Sequence, residues 1–198
     1  MNATPIPYRV RPGPEAYLAP AAATRGIVLP EPGEGLIEGL AVPEAEALDA
    51  IAAQLVAARR PTLFPGPLVL WASAPKGLAK AAALLELVAA VPGMRMIPMP
   101  DYRPKYPRIH PDREINPNHP NLTIWHNEID VCLFAGVHCH YANIALKIIR
   151  AGSSCYTIAL CGERGHEDAM ITLRDADAAV IGRLTEAVAR AQRGAVHG

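Results

Sequence analysis

Aromatic residues make up only 5% of this chain, with two Phe and two Trp. Trp71, Trp125 and Tyr141 stand apart in the sequence, so they read as packing or interface aromatics rather than a stacking platform for bases. Charge is also sparse: Asp, Glu, Lys and Arg total 19%, and nineteen basic residues balance nineteen acidic ones. Without a run of either sign, a broad nucleic-acid surface or an anionic-membrane surface is not expected, because both need clustered Lys and Arg. A surface with no net charge does little to keep molecules apart, which suits a permanent partner or a homo-oligomer. No apolar run approaches the ~20 residues that cross a bilayer. Met1–Pro14 is polar and Pro-rich, without the apolar stretch of a secretory signal. Four cysteines occur, Cys132, Cys139, Cys155 and Cys161, with no C-x-x-C pair. Free thiols in a reducing cytoplasm are therefore expected rather than a disulfide scaffold. The glycine-rich nucleotide fingerprints G-x-G-x-x-G and G-x-x-x-x-G-K-[ST] are missing. No carboxylate pair lies within an apolar run, so paired acid–base hydrolysis has no support.

What the chain does have is apolar mass: 51% of its 198 residues, much of it Ala. That is enough for one full core without metal or disulfide. Twenty prolines punctuate it. They crowd residues 1–43, as in Arg11-Pro12-Gly13-Pro14 and Leu29-Pro30-Glu31-Pro32-Gly33, so this segment reads as an extended arm. Its Tyr8, Tyr17, Leu18, Ile27, Val28 and Leu29 favour docking on the domain or on a partner. Residues 44–198 read as a single α/β domain.

Within that domain, Glu44–Arg59 reads as a helix opened by Pro43 and acids, striped by Leu48, Ile51, Ala52 and Leu55, and stopped by Pro61. Pro61–Phe64 looks like a strand ending in a tight turn, and Leu68–Trp71 is either its continuation or a second strand. Gly77–Ala90 reads as a helix with Leu78, Leu84, Leu85, Leu87 and Val88 in the core, followed by a strand at Met94–Met99. Pro100–Asn121, with six prolines, is the kind of long irregular segment that serves as a lid, binding loop or interface. The pattern is clearest further on. Ile129–Ala135 is a nearly all-apolar strand, His138–Arg150 a helix, and Cys155–Cys161 a second buried strand. Strand, helix, strand make one βαβ unit with parallel strands and a right-handed crossover. Asp175–Arg193 closes the chain as a helix capped by Asp175 or Asp177.

In open α/β sheets, ligands bind beyond the carboxyl ends of the strands. That rule marks Phe64–Pro67, Gly136–His140 and Cys161–Asp168, and the helix beginning near His138 would open its N–H groups onto them. The expected cofactor-contacting set is Gly66, Gly136, His138, Cys139, His140, Gly162 and His166, with no catalytic residue assigned. His138-Cys139-His140 and Cys161…His166 could also hold zinc or iron. However, successive residues of a helical turn diverge by about 100°, and no standard zinc spacing occurs. No metal is expected, and Cys132, Cys155 and Cys161 read as small core fillers. Cys139 at a helix start is conceivable as a nucleophile, though a packed thiol is the commoner outcome there.

Several phrases resemble the small epsilon subunit of the carbon monoxide dehydrogenase/acetyl-CoA synthase complex. Ala58–Pro67 is similar to that family's helix end, Arg-Pro, apolar strand and Gly-Pro turn. Glu128–Val137 resembles its Asp-led apolar strand ending in Phe-x-Gly. His138-Cys139-His140-Tyr141-Ala142-Asn143 sits at its polar and aromatic turn, and Tyr156–Leu160 and Gly165-His166-Glu167-Asp168-Ala169 are alike in style. The resemblance covers Ala45 to Leu173. It implies a Rossmann-like open parallel sheet flanked by helices, as in the NAD/FAD-binding domain of deoxyhypusine synthase. It also implies a non-catalytic subunit docked on a larger metalloenzyme, with FAD or NAD as the cofactor in question. The Pro-rich arm, the Pro100–Asn121 loop and the His/Cys-rich turn depart from the family pattern. Two further readings stay open: a subunit of a thiamine-diphosphate-dependent 2-oxoacid oxidoreductase complex, and a free-standing flavin- or nucleotide-binding enzyme. A metal or thiol-redox role for Cys139, Cys161 and His166 is the remaining alternative.

Overall fold

A computed structural model describes residues 29–100 and 110–196. Residues 1–28 of the arm expected over residues 1–43, and the middle of the long Pro-rich loop (101–109), lie outside the described residues. Among the described residues, seven strands form one mixed sheet: β1 (Glu34–Ile37), β2 (Leu40–Pro43), β3 (Pro61–Pro65), β4 (Arg95–Met96), β5 (Val131–Ala135), β6 (Tyr156–Leu160) and β7 (Ile171–Leu173). Their spatial order is β2-β1-β7-β6-β5-β3-β4. The helices are α1 (Glu44–Ala57), α2 (Pro67–Leu70), α3 (Pro75–Ala90), α4 (Pro120–Asn127), α5 (Cys139–Gly152) and α6 (Ala178–Val196).

The βαβ expectation is met. β5 and β6 are parallel, with Leu133 opposite Ile158, and α5 joins them. Every residue of β3 and β5 is buried, as expected for strands with a helix layer on each side. On one face, Leu63, Leu133, Ile158, Leu160 and Leu173 meet α1, α3 and α6. On the other, Phe64, Cys132, Phe134 and Ala159 meet α4 and α5, and the Phe64 and Phe134 rings stand 5.1 Å apart. Buried strand threonines are satisfied locally: the Thr172 hydroxyl donates to the Ala159 carbonyl, and the Thr157 hydroxyl accepts from the Met170 amide.

Several features differ from the sequence reading. The sheet is mixed rather than all parallel, because Glu34–Pro43, read as the end of the arm, folds into a hairpin. β1 pairs antiparallel with both β2 and β7. Glu38 and Gly39 at its tip take positive φ, which lets so short a turn close. Secondly, Leu68–Trp71 is no strand: Pro67 sits at the start of a single helical turn, α2, where its fixed φ is preorganised. Thirdly, α3 begins two residues early at Pro75 and buries Ala83, Leu84 and Leu87. Leu78 and Leu85 are 53% and 56% exposed. The two lie seven residues apart, on one stripe of the helix that faces outward. β4 is shorter than Met94–Met99, yet its ladder runs on past Pro98: the Ile97 and Met99 amides donate to the Leu63 and Pro65 carbonyls.

α6 closes one face between α1 and α3. Asp177 caps it by accepting from the Ala179 and Val180 amides, and Val180, Ile181, Leu184, Ala187 and Val188 are buried beneath it. Arg190 pairs with Asp49 at 2.8 Å, and the Gln192 amide donates to the Ala90 carbonyl. None of the described helices is long and apolar enough to cross a membrane.

Candidate functional site

The carboxyl ends of β3, β5, β6 and β7 lie along one edge of the parallel part of the sheet, and two different environments meet there at Cys161-Gly162. On the side of α5 is a thiol–imidazole cluster. Cys139 stands in the first turn of α5, directly after its N-cap residue His138. Cys161 follows the last residue of β6, and His166 lies in the loop leading to β7. The Cys139 and Cys161 sulfurs are 3.7 Å apart, and one ligand atom from each of Cys139, Cys161 and His166 lies within 4.8 Å of the others. Cys161 and His166 are buried, and Cys139 is half-buried.

The cluster is held from several directions. Cys161 is fixed by its backbone, its amide donating to the Leu173 carbonyl and its carbonyl accepting from Ala176. The His166 amide donates to the Thr172 hydroxyl, and its Nδ1 lies 2.8 Å from Asn143 Oδ1 on α5. An amide oxygen only accepts, so Nδ1 is the donor in this bond. Burial opposes ionisation of the Cys161 thiol, but the hydrogen bond and charge of His166 and the Glu163 and Gly165 amides outweigh it, bringing the group down to about 7. Burial and the neighbouring Cys161 push the Cys139 thiol up to about 11. The two sulfurs therefore share one proton more readily than they lose two, as close acidic pairs do.

On the side of α3 is an open cleft of about 400 Å³, lined by Leu68, Val69, Lys76, Lys80, Gly162 and Asp177 among others. Lys80 reaches across Gly162, its Nζ 3.8 Å from where a Cβ on that glycine would sit. It has no hydrogen bond or ion pair with a described residue. Burial lowers its pKa, partly offset by the charges of Cys161 and Asp177.

Of the residues expected to contact a cofactor, Cys139 and His166 come together in the cluster and Gly162 borders the cleft. His138 and His140 are exposed, and the His140 ring packs edge-on against Tyr141. Gly66 and Gly136 are packing glycines. A Cβ on Gly66 would come within 2.5 Å of the Gly136 carbonyl oxygen, and one on Gly136, where φ is +67°, within 2.7 Å of Val69. The crevice between the ends of β3 and β5 is thus filled by α2. The structure adds residues that the sequence reading passed over. Lys76 and Lys80 are spaced i, i+4 in the first two turns of α3, a spacing that puts them on one helical face. Applying the strand-end rule to the helix after β3, and not only to its loop, would have found them. Asn143 was marked in the sequence only as part of the His138–Asn143 turn, because its contact with His166 appears only once α5 lies beside the His166 loop.

A family model described as CO dehydrogenase beta subunit/acetyl-CoA synthase epsilon subunit matches residues 28–183. No curated protein matches the chain. The matched region contains the whole seven-stranded sheet, both halves of the strand-end site and the first turns of α6. The chain belongs to the CO dehydrogenase beta subunit/acetyl-CoA synthase epsilon subunit family.

Proposed function

We propose that this chain is a non-catalytic accessory subunit of a carbon monoxide dehydrogenase/acetyl-CoA synthase-like complex, docked in the cytoplasm on larger metalloenzyme subunits. The family match over residues 28–183 carries the reading. Exposed apolar side chains support it: Trp71 is 70% and Trp125 57% exposed, more than a small domain with so few aromatics gains by leaving in water. Four unbonded cysteines agree with a reducing compartment. The experiment is affinity purification of the full chain from its own cells under anaerobic conditions. Stoichiometric co-elution with carbon monoxide dehydrogenase or acetyl-CoA synthase subunits is expected. A chain eluting alone near 21.1 kDa refutes the proposal, and co-elution with thiamine-diphosphate enzyme subunits transfers it to the 2-oxoacid oxidoreductase alternative.

A second reading, a nucleotide or flavin site, is supported by the cleft on the α3 side. The parallel strands run β4-β3-β5-β6-β7, the flavodoxin-like order of doubly wound sheets, which take their ligands beyond the carboxyl ends of the strands. The half-buried Lys80 ammonium is a ready partner for a phosphate. FAD and NAD are the ligands to titrate calorimetrically. Saturable binding that weakens about tenfold in Lys80→Ala, the scale of one lost charged hydrogen bond, is the expected result, and flat titrations with both remove the reading.

A further inference from the structure

Cys139, Cys161 and His166 come from three separate pieces of chain: a helix start, a strand end and a loop. That arrangement answers the objection that neighbours in one helical turn diverge too far to share an ion, since the turn contributes Cys139 alone. The 3.7 Å separation of the two sulfurs matches the edge of a tetrahedral shell, where Zn–S bonds of about 2.3 Å place two sulfurs about 3.8 Å apart. The three ligand atoms lie within 4.8 Å of one another. In a tetrahedral shell, the sulfur–nitrogen edges are about 3.6 Å, so the ligand atoms draw in by at most about 1.2 Å as the ion binds. The imidazole is already oriented. Its Nδ1 is committed to Asn143 Oδ1 at 2.8 Å, the outer-shell hydrogen bond by which metal-bound histidines fix their tautomer and present Nε2.

We propose that Cys139, Cys161 and His166 bind a thiolate-preferring divalent cation, zinc being the best match, with water in the fourth position. Two thiolates and a neutral imidazole around a doubly charged cation sum to zero charge. A buried site accepts such a set without a stranded ion. The thiol protons leave to solvent as the sulfur–metal bonds form, and nothing is oxidised or reduced. Cys139, the half-buried member of the set, is the side from which ion and water enter. Asn143 is a positioning residue that acts through His166. The proposal goes beyond the subunit reading and is independent of it, since it concerns the isolated chain.

The experiment uses the full chain carrying no histidine tag, kept reduced and anaerobic, stripped with a chelator and titrated with Zn²⁺ against a chromogenic competitor. Uptake of one equivalent is expected, and Co²⁺ loading should give thiolate-to-metal charge-transfer absorption. Cys139→Ser and His166→Ala should each weaken binding by tenfold or more, and Asn143→Ala by about tenfold, the usual effect of losing an outer-shell partner. His126→Ala, an exposed histidine on α4, should leave binding unchanged and so exclude adventitious surface coordination. Because Cys139 is half-buried, its serine variant keeps the test valid should the buried His166 variant fail to fold. Sub-stoichiometric uptake, a Co²⁺ spectrum without the charge-transfer band, or equal binding in Cys139→Ser overturns the proposal. So does a reduced chain that takes up no metal but closes a Cys139–Cys161 bond in air.

Discussion

At the amino ends of β3, β5 and β6, charge is used up in joining the chain to itself, and at the carboxyl ends of the same strands the Lys80 ammonium is left over. Asp130, just before β5, accepts the Arg59 and Arg60 amides at 2.8 and 2.9 Å, and the Tyr156 amide at the start of β6 donates to its carbonyl. The Arg60 guanidinium pairs with Glu128 at 2.9 Å. A cleft of about 310 Å³ exists there too, lined by Arg59, Trp125 and Asp130 among others, but its charged groups already have partners. At the opposite end, Lys80 lacks a described partner, and two thiols and an imidazole converge with donor capacity to spare. Clefts of comparable size thus hide unequal chemistry. A group whose hydrogen bonds are satisfied within the fold contributes to stability, whereas one held in place but left unpaired costs stability and is available to a ligand.

The largest expected effect lies beneath the carboxyl-end site. Gly136→Ala should lose about 2–4 kcal/mol of stability, combining a positive φ with a clash against Val69. Urea unfolding measures it, and a loss below the error of the fit would show that α2 yields easily and that the crevice between β3 and β5 can open. At the amino end, Asp130→Ala should cost about 1 kcal/mol, two exposed backbone donors falling back on water.

The pH dependence of Asp130 follows from its depressed pKa. Burial raises it, but the Arg59 and Arg60 amides lower it further. Its contribution is therefore present above the ordinary carboxylate range and lost as pH falls through the folded value. Asp168, beside the cluster loop, has the opposite sign. Burial raises its pKa more than Lys147, 3.4 Å away, lowers it. The stability it offers is present in acid and is lost as pH rises through its folded value. Asp168→Asn should accordingly flatten the pH profile of melting temperature in mild acid, while Asp130→Asn should flatten it at lower pH. Profiles that shift the same way would break the contrast between the two ends. The smallest effect is expected from Lys80→Met. Its depressed pKa means that the ammonium costs stability at neutral pH, so replacing it with an apolar chain of like length should raise the urea midpoint slightly. A lowered midpoint would mean that Lys80 has a structural partner after all.

The parallel core was legible because β5 and β6 are short, largely apolar runs of five residues separated by an amphipathic helix. Burial on both faces forces that pattern whatever the neighbouring elements. The hairpin was harder to see. Glu34–Pro43 is Gly- and Pro-rich, and its strands are made by pairing with β7 rather than by any alternation of their own. Leu78 and Leu85 misled for a related reason: α3 is apolar nearly all round, so hydrophobicity alone does not say which stripe faces the sheet. Small Ala83 sits inward beside Leu84 and Leu87 because close packing against α6 and the sheet needs it there.

For this protein, residue order alone determined that an α/β core with parallel strands would form and that β5, α5 and β6 would make one crossover unit. Those outcomes follow from local periodicity and from the few ways in which such elements can bury their faces. Tertiary structure alone decided that Gly66 and Gly136 are spent on packing α2, that Lys80 arrives from another helix, and that Cys139, Cys161 and His166 share one point in space under the hold of Asn143. Such convergence depends on how the helices α3 and α5 lie on the sheet, and side chains distant in the chain become neighbours only when that packing is complete.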